Sequence, residues 1–133
     1  MSVYLQTALT QALGCRYPIV QTAMGWVADA NLVIASTQAG AFGFLAGATL
    51  AADELEGEIQ RVITATGGSN FGLNFHMFQE NAAQCVDLAI EYRLRAVSYG
   101  RGPDRQTIER FKKAGVLCIP TVGAVKHAIK AVE

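Results

Sequence analysis

Short apolar runs alternate with longer amphipathic stretches along nearly the whole chain. The apolar runs begin near Ile19, Phe42, Phe71, Ala96 and Val116, and each is followed by a polar or glycine-rich turn and then by a segment with helical periodicity. Strands that alternate with helices of this length pair in parallel, because a parallel neighbour needs a helical crossover. The pattern therefore predicts five consecutive strand–helix units in an α/β fold.

Capping residues predict where several of the helices begin and end. Asp29 or Asn31 and, further along, Asp104 are candidate N-caps, while Gly40 and Gly115 suit the left-handed position after a helix. The helix predicted after the second strand has an apolar stripe that is typical of packing on a sheet. That stripe consists of Leu55, Ile59, Val62 and Ile63.

The spacing of the units predicts a particular architecture. They recur about every 25 residues, which is typical of a (β/α)₈ TIM barrel, a fold that needs about 250 residues to close. A chain of 133 residues holds about five of the eight units, and no linker or low-complexity segment divides it. We therefore predict that residues 1–133 form the N-terminal part of a single TIM-barrel domain, truncated to about the first five βα units.

Composition and charge narrow the function classes. Eleven basic and 11 acidic residues balance, so we expect no electrostatic binding to nucleic acid or anionic lipid. The N-terminus lacks a secretory signal, and three cysteines without metal-ligand spacing predict free thiols in a reducing compartment. One of them, Cys118, is expected to be inert packing in a buried strand. A cytoplasmic protein without a metal site or a membrane anchor is the expectation.

The chemistry of a TIM barrel lies in the loops that follow its strands. These loops are rich in glycine, amides and hydroxyls, with one histidine, His76, and no carboxylate or lysine. Such a rim suits a planar, hydrogen-bonding cofactor whose own electronics carry the reaction. It lacks the paired carboxylates or the nucleophile–base pair that hydrolysis needs. The rim segments are residues 21–25, 46–48, 74–77, 98–100 and 121–123.

Four stretches at the ends of consecutive predicted strands resemble one family. Residues 17–25 (YPIVQTAMG), 43–47 (GFLAG), 71–74 (FGLN) and 119–123 (IPTVG) are similar, in order and spacing, to the nitronate monooxygenases. This family, also called 2-nitropropane dioxygenases, consists of FMN-dependent TIM barrels. The resemblance covers the chain from about Leu13 onward. It implies oxidation of an alkyl nitronate by flavin and O₂ to a carbonyl compound and nitrite.

The resemblance also implies which residues face the FMN. The turn after strand one lies with its backbone against the flavin ring in this family, and Ala23, Met24 and Gly25 occupy those positions. Gly25 permits a close approach, whereas Ala23 stands where the family usually has a proline. Asn74 stands where the family offers an amide to the cofactor, and Thr121 ends strand five with a hydroxyl nearby.

Each of these interpretations has a structural alternative. Met24 is also typical of a flexible core plug, and Asn74 of a turn residue. His76 is either a base or, as we favour, a hydrogen-bonded loop histidine. Tyr99 and Arg101 either line a substrate mouth or belong to an ordinary solvent turn.

The family's catalytic histidine follows strand six, and the loops after strands seven and eight hold the flavin phosphate, all beyond Glu133. We therefore assign no catalytic residue within the chain and expect residues 1–133 alone to be inactive. Two other functions stay open. One is a flavin-dependent enoyl-acyl-carrier reductase or NAD(P)H:acceptor oxidoreductase of the same barrel family. The other is a non-catalytic half-barrel that self-associates through its open edge.

Overall fold

A parallel β-sheet with a helix after each strand forms the frame of the molecule. The structure is a computed structural model and describes residues 5–100 and 102–132. The strands run in the order β1-β2-β3-β4-β5, and every neighbouring pair is parallel. They are β1 (Val20–Gln21), β2 (Phe42–Ala46), β3 (Gly72–His76), β4 (Ala96–Gly100) and β5 (Leu117–Thr121). The predicted succession of five units is confirmed.

Six α-helices are described. They are α1 (Ala8–Leu13), α2 (Ala30–Gln38), α3 (Ala52–Thr66), α4 (Ala82–Glu91), α5 (Arg105–Ala114) and α6 (Val125–Val132), and a short 3₁₀ turn, Gly47–Thr49, follows β2. The first of them, α1, begins at Ala8 with Thr7 as its N-cap.

The predicted caps explain the ends of two helices. The Asp29 carboxylate accepts a hydrogen bond from the Leu32 N–H (3.0 Å), whereas Asn31, the alternative cap, donates to Asp29 (3.1 Å). At α5 the Asp104 carboxylate accepts from the Thr107 N–H (2.8 Å). Gly115 ends α5 with φ of 75°, a conformation that side chains other than glycine rarely adopt.

Alternation along the strands produces two apolar layers. One set of side chains packs between the sheet and the helices and includes Leu45, Leu73, Phe75 and Val97. A second cluster lies on the other face of the sheet, inside its curl. The sheet is therefore a curled half-barrel, and we call its concave interior the lumen. The second cluster consists of Leu13, Phe42, Phe44 and Ala96.

The fifth strand differs from the prediction that it is buried. Leu117 and Ile119 are 36% and 37% exposed, Cys118 is half-buried, and no residue of α6 is buried. These side chains are exposed because no described strand lies beyond β5 to cover them. The position also tolerates Pro120 within the strand, since an edge strand needs no outward N–H donor. Self-association through this edge stays a prediction.

None of the helices in residues 5–100 and 102–132 has the length and apolar character needed to cross a bilayer.

Candidate functional site

The strand register shows which side chains share the lumen. Ala46 pairs with Asn74, Asn74 with Ser98, and Ser98 with Ile119, so these four side chains form one layer. Their strand neighbours Leu45, Leu73 and Val97 belong to the helix-facing cluster. Because successive side chains of a strand point to opposite faces, the layer with Asn74 and Ser98 faces the lumen.

An apolar floor lies beneath this layer. The ring of Phe44 covers Gly72 so closely that a Cβ at position 72 would lie 2.2 and 2.3 Å from two ring carbons. Phe44 meets Phe42 edge to face at a centroid distance of 5.2 Å, and Leu13 from α1 completes the cluster. Gly72 is therefore required by a close contact. The floor makes the lower end of the lumen apolar.

Asn74 and Ser98 form a polar pair directly above that floor. Nδ2 of Asn74 donates to Oγ of Ser98 (2.8 Å) and to the backbone carbonyl of Ser98 (3.1 Å). Both side chains are half-buried. Asn74 was predicted as a cofactor ligand or as a turn residue, and the structure places it inside β3 with its side chain in the lumen. It is therefore not a turn residue.

The next layer up contains His76, Gly100 and Thr121, which are in register on β3, β4 and β5. A Cβ at Gly100 would lie 3.2 Å from Nδ1 of His76, so the glycine gives the imidazole room. The His76 ring stacks on Phe78 with centroids 5.3 Å apart, and its backbone N–H donates to Gln79. His76 is therefore the last residue of β3 and not a loop residue, and its ring is held by stacking on Phe78. Thr121 is exposed at the end of β5.

The turn after β1 lies at the same end of the sheet. Ala23 packs against the apolar floor, and the Met24 carbonyl accepts from the N–H groups of Val27 (3.0 Å) and Ala28 (2.8 Å). Met24 is 46% exposed, so the alternative of a core plug is wrong. A Cβ at Gly25 would lie 3.1 Å from Cγ2 of Thr49 in the loop after β2, which favours glycine there.

The structure thus places the predicted residues Ala23, Met24, Gly25, Asn74 and Thr121 at the carboxyl ends of strands β1, β3 and β5. Of these, Asn74 and Thr121 have a lumen-facing register. Their contact with a cofactor stays a prediction.

Tyr99 does not line a substrate mouth. It is 3% exposed, belongs to the helix-facing cluster and packs at 6.2 Å from the ring of Phe75. Burial raises the pKa of its phenol above the ordinary value, so it is a poor proton donor or acceptor near neutral pH. Arg101, the other candidate, lies outside the described residues.

Sequence reasoning missed two amides that hold the loop after β2. Asn81 is buried and donates to the carbonyls of Gly47 (2.9 Å) and Leu50 (3.0 Å), while Gln79 donates to the carbonyl of Ala48 (2.8 Å). Buried polar groups of this kind are stable only when they are hydrogen-bonded. The signal available in the sequence was this pair of amides just before α4.

A half-barrel whose lumen offers amides and hydroxyls, one imidazole and, among the described residues, no carboxylate or lysine is typical of a TIM-barrel oxidoreductase that depends on a cofactor. Comparison with known families agrees with this class. Residues 6–89 match the family described as nitronate monooxygenase, and the chain belongs to that family.

Two curated relatives carry one name, (3aS,4S,5R,7aS)-5-hydroxy-7a-methyl-1-oxo-octahydro-1H-indene-4-carboxyl-CoA dehydrogenase. The protein from Mycobacterium tuberculosis is 44% identical over 126 residues, and that from Rhodococcus jostii is 42% identical over 126 residues. Each alignment covers 95% of this chain and 35% of the relative. The chain therefore spans about a third of the length of these curated relatives.

Two solved structures show the same fold. FabK from Thermotoga maritima superposes with a TM-score of 0.87 at 26% identity, over 96% of this chain and 40% of that chain. A nitroalkane oxidase from Streptomyces ansochromogenes superposes with a TM-score of 0.80 at 27% identity, over 94% of this chain and 46% of that chain. The predicted fold and the predicted family resemblance are both confirmed.

Proposed function

We propose that residues 1–133 supply five units of an FMN-dependent oxidoreductase that dehydrogenates an acyl-CoA thioester. The observation that carries this proposal is the lumen itself. A polar Asn74–Ser98 pair above an apolar floor can bind and orient a ring, but it has no acid–base pair with which to break a bond unaided. A lumen of this composition suits a bound group that carries the reactive centre.

The residues present fit a flavin. The lumen walls beside the polar pair are small, with Ala46 on one side and Gly100 above, so a flat ring can approach the strands closely. Asn74, Ser98 and Thr121 are the described lumen side chains that would hydrogen-bond it, and the backbone of Ala23, Met24 and Gly25 would border it. Bound FMN would supply the two-electron chemistry, accepting a hydride equivalent from the substrate and passing the electrons to an external acceptor.

The substrate class follows from the relatives. Identities of 44% and 42% across 95% of this chain link it to dehydrogenases of a bicyclic acyl-CoA thioester. A large apolar acyl group also suits the exposed apolar side chains near the rim, because their burial by a ligand would be favourable. The largest of these are Met24, Trp26, Val27 and Phe78, which are 46%, 89%, 57% and 70% exposed.

The test uses the complete polypeptide that contains residues 1–133, purified with its flavin. Anaerobic mixing with a bicyclic acyl-CoA should reduce the flavin and abolish its visible absorbance, and an added electron acceptor should restore it. The free acid of the same acyl group is the control and should react poorly. A flavin that stays oxidised with every acyl-CoA tried would refute the substrate assignment.

A second candidate, nitronate monooxygenase, is favoured by the family match and by the likeness to a nitroalkane oxidase. It predicts that the same polypeptide releases nitrite from an alkyl nitronate and consumes O₂, while acyl-CoA leaves the flavin oxidised. Flavin reduction by NAD(P)H without either substrate would instead support the reductase alternative. Inactivity of residues 1–133 on their own remains a prediction of all three.

A further inference from the structure

We propose that the imidazole of His76 binds the substrate by donating a hydrogen bond to the carbonyl oxygen of its thioester group. This inference rests on the proposed function, since it takes an acyl-CoA thioester as the substrate. It gives a role to the one imidazole that the described lumen residues contain, and it places a specificity-determining residue at the end of β3.

His76 lies between the apolar floor and the open rim of the lumen. It shares a layer with Gly100, and that layer is two residues nearer to the rim than Asn74 and Ser98, a separation of about 7 Å along β3. Because apolar side chains fill the lower end of the lumen, a substrate reaches the polar pair from the rim. The substrate therefore passes the imidazole.

The ring nitrogens of His76 are available to a ligand. The side chain is half-buried, and among the described residues none donates to or accepts from either ring nitrogen. An imidazole carries at least one N–H donor in both of its protonation states. The described lumen residues include no carboxylate that would accept from this N–H. The donor is therefore left for a group that enters the lumen.

The imidazole is held in place before any ligand arrives. Its ring stacks on Phe78 with an interplanar angle of 7°, and the absent side chain of Gly100 leaves room for Nδ1 and Cε1 against β4. Gln79 accepts from the backbone N–H of His76 and donates to the carbonyl of Ala48, which ties the end of β3 to the loop after β2. A donor held in this way loses little conformational freedom on binding.

A thioester matches this arrangement better than a group without a carbonyl. The carbonyl oxygen of a thioester only accepts, so it pairs with the imidazole N–H. The acyl group next to the carbonyl is apolar, and the Phe78 ring beside His76 offers it apolar surface, since that side chain is 70% exposed. A ligand with a methylene group in place of the carbonyl would cover the N–H without pairing it, which is unfavourable.

The experiment compares two CoA probes that differ only at the carbonyl, 2-naphthoyl-CoA and the thioether S-(2-naphthylmethyl)-CoA. The ring carbon beside the carbonyl of 2-naphthoyl-CoA has no hydrogen, so this probe binds without being dehydrogenated there. Isothermal titration calorimetry with the complete, flavin-containing polypeptide gives both dissociation constants. The native protein should bind the thioester about three- to tenfold more tightly, the range that one hydrogen bond contributes.

Substitutions of His76 separate the hydrogen bond from the shape of the ring. His76→Phe retains a flat ring that can stack on Phe78 but has no N–H, so it should bind the two probes with equal affinity. His76→Asn and His76→Gln place an amide N–H near the positions of Nδ1 and Nε2, and one of them should restore most of the preference. His127→Phe, exposed on α6, is the matched control and should retain the native preference.

The outcomes separate this inference from the proposed function. An unchanged preference in His76→Phe, or no preference in the native protein, would overturn the role of His76, while flavin reduction by an acyl-CoA would still support the proposed function. Loss of FMN from His76→Phe would assign the imidazole to the cofactor and would overturn the inference as well. Failure of the native protein to bind either probe, with a flavin that stays oxidised, would overturn both. A loss of preference that neither amide variant restores would also contradict the hydrogen bond.

Discussion

Gly72 is the position where the structure predicts the sharpest response to adding one methyl group. In Gly72→Ala the new Cβ would lie 2.2 and 2.3 Å from ring carbons of Phe44, well inside van der Waals contact. Phe44 cannot retreat freely, because it packs edge to face on Phe42 within the buried floor cluster. Overpacking of this kind costs about 1–3 kcal/mol, and replacing a strand glycine returns about 0.5–1 kcal/mol of chain entropy. We expect a net loss of about 1–2 kcal/mol.

Gly57 offers a matched control within α3, because a Cβ there meets no atom within 4 Å. Gly57→Ala should raise stability by about 0.5–1 kcal/mol through helix propensity. Urea unfolding of the complete polypeptide should therefore place the two alanine variants on opposite sides of the native midpoint. Phe44→Leu should remove most of the cost of Gly72→Ala in a double-mutant cycle. Equal midpoints for the two variants, or the absence of coupling, would refute the close contact at the lumen floor.

Three further predictions concern the loop after β2, a thiol and a helix cap. Asn81→Ala should lower the free energy of unfolding by about 1–3 kcal/mol, because two carbonyls lose their buried donor. The control Gln84→Ala removes an exposed hydrogen bond to Ala52 and should lower it less. Equal losses for the two variants in urea unfolding would contradict this prediction. Burial raises the pKa of the Cys85 thiol to about 12, so iodoacetamide at pH 8 should leave Cys85 unmodified until the protein unfolds, as read by peptide mass spectrometry. Labelling of Cys85 in the native protein would be inconsistent with its burial. The backbone N–H of Thr107 donates to the Asp104 carboxylate and lowers its pKa in the folded protein. The cap therefore stabilises the fold fully above the ordinary aspartate pKa of about 4, and this stabilisation is lost as the pH falls through the lower pKa of the folded state. An NMR titration of the Asp104 carboxyl should show that lowered midpoint, and an ordinary midpoint would contradict the cap.

The succession of strands and helices could be predicted because each element has its own local signal. Asp29 and Asp104 cap helices as their sequence context indicated, and the stripe of α3 is buried at Leu55, Ile59 and Val62. Such signals depend on residues three or four apart, which the sequence displays directly. The predicted barrel fold placed the site at the carboxyl ends of the strands, and the family resemblance added which residues there are expected to face the cofactor.

The remaining features depend on contacts between distant segments. Ser98 and Tyr99 both lie in the predicted rim, and only the register of β4 shows that Ser98 faces the lumen while Tyr99 packs under the helices. A shift of one residue would exchange them, and the sequence of a single short strand does not fix that choice. Asn81 likewise acts on carbonyls more than thirty residues away, through a contact that no local pattern displays.

The β5 prediction was wrong for a related reason. An apolar strand was expected to be buried. Whether a strand is buried depends on the elements that pack beside it, and no described strand lies beyond β5 to cover its side chains. The apolar run that begins near Val116 predicted the strand correctly and did not predict its exposure.

The most direct test of the account is the identity and stoichiometry of the cofactor. The complete polypeptide that contains residues 1–133 should be isolated from its native cell, its visible spectrum recorded, and any released cofactor identified by mass. We predict a yellow protein that releases one FMN per polypeptide. A colourless protein that takes up no flavin when FMN is added would contradict the central claim that the Asn74–Ser98 lumen is a flavin site.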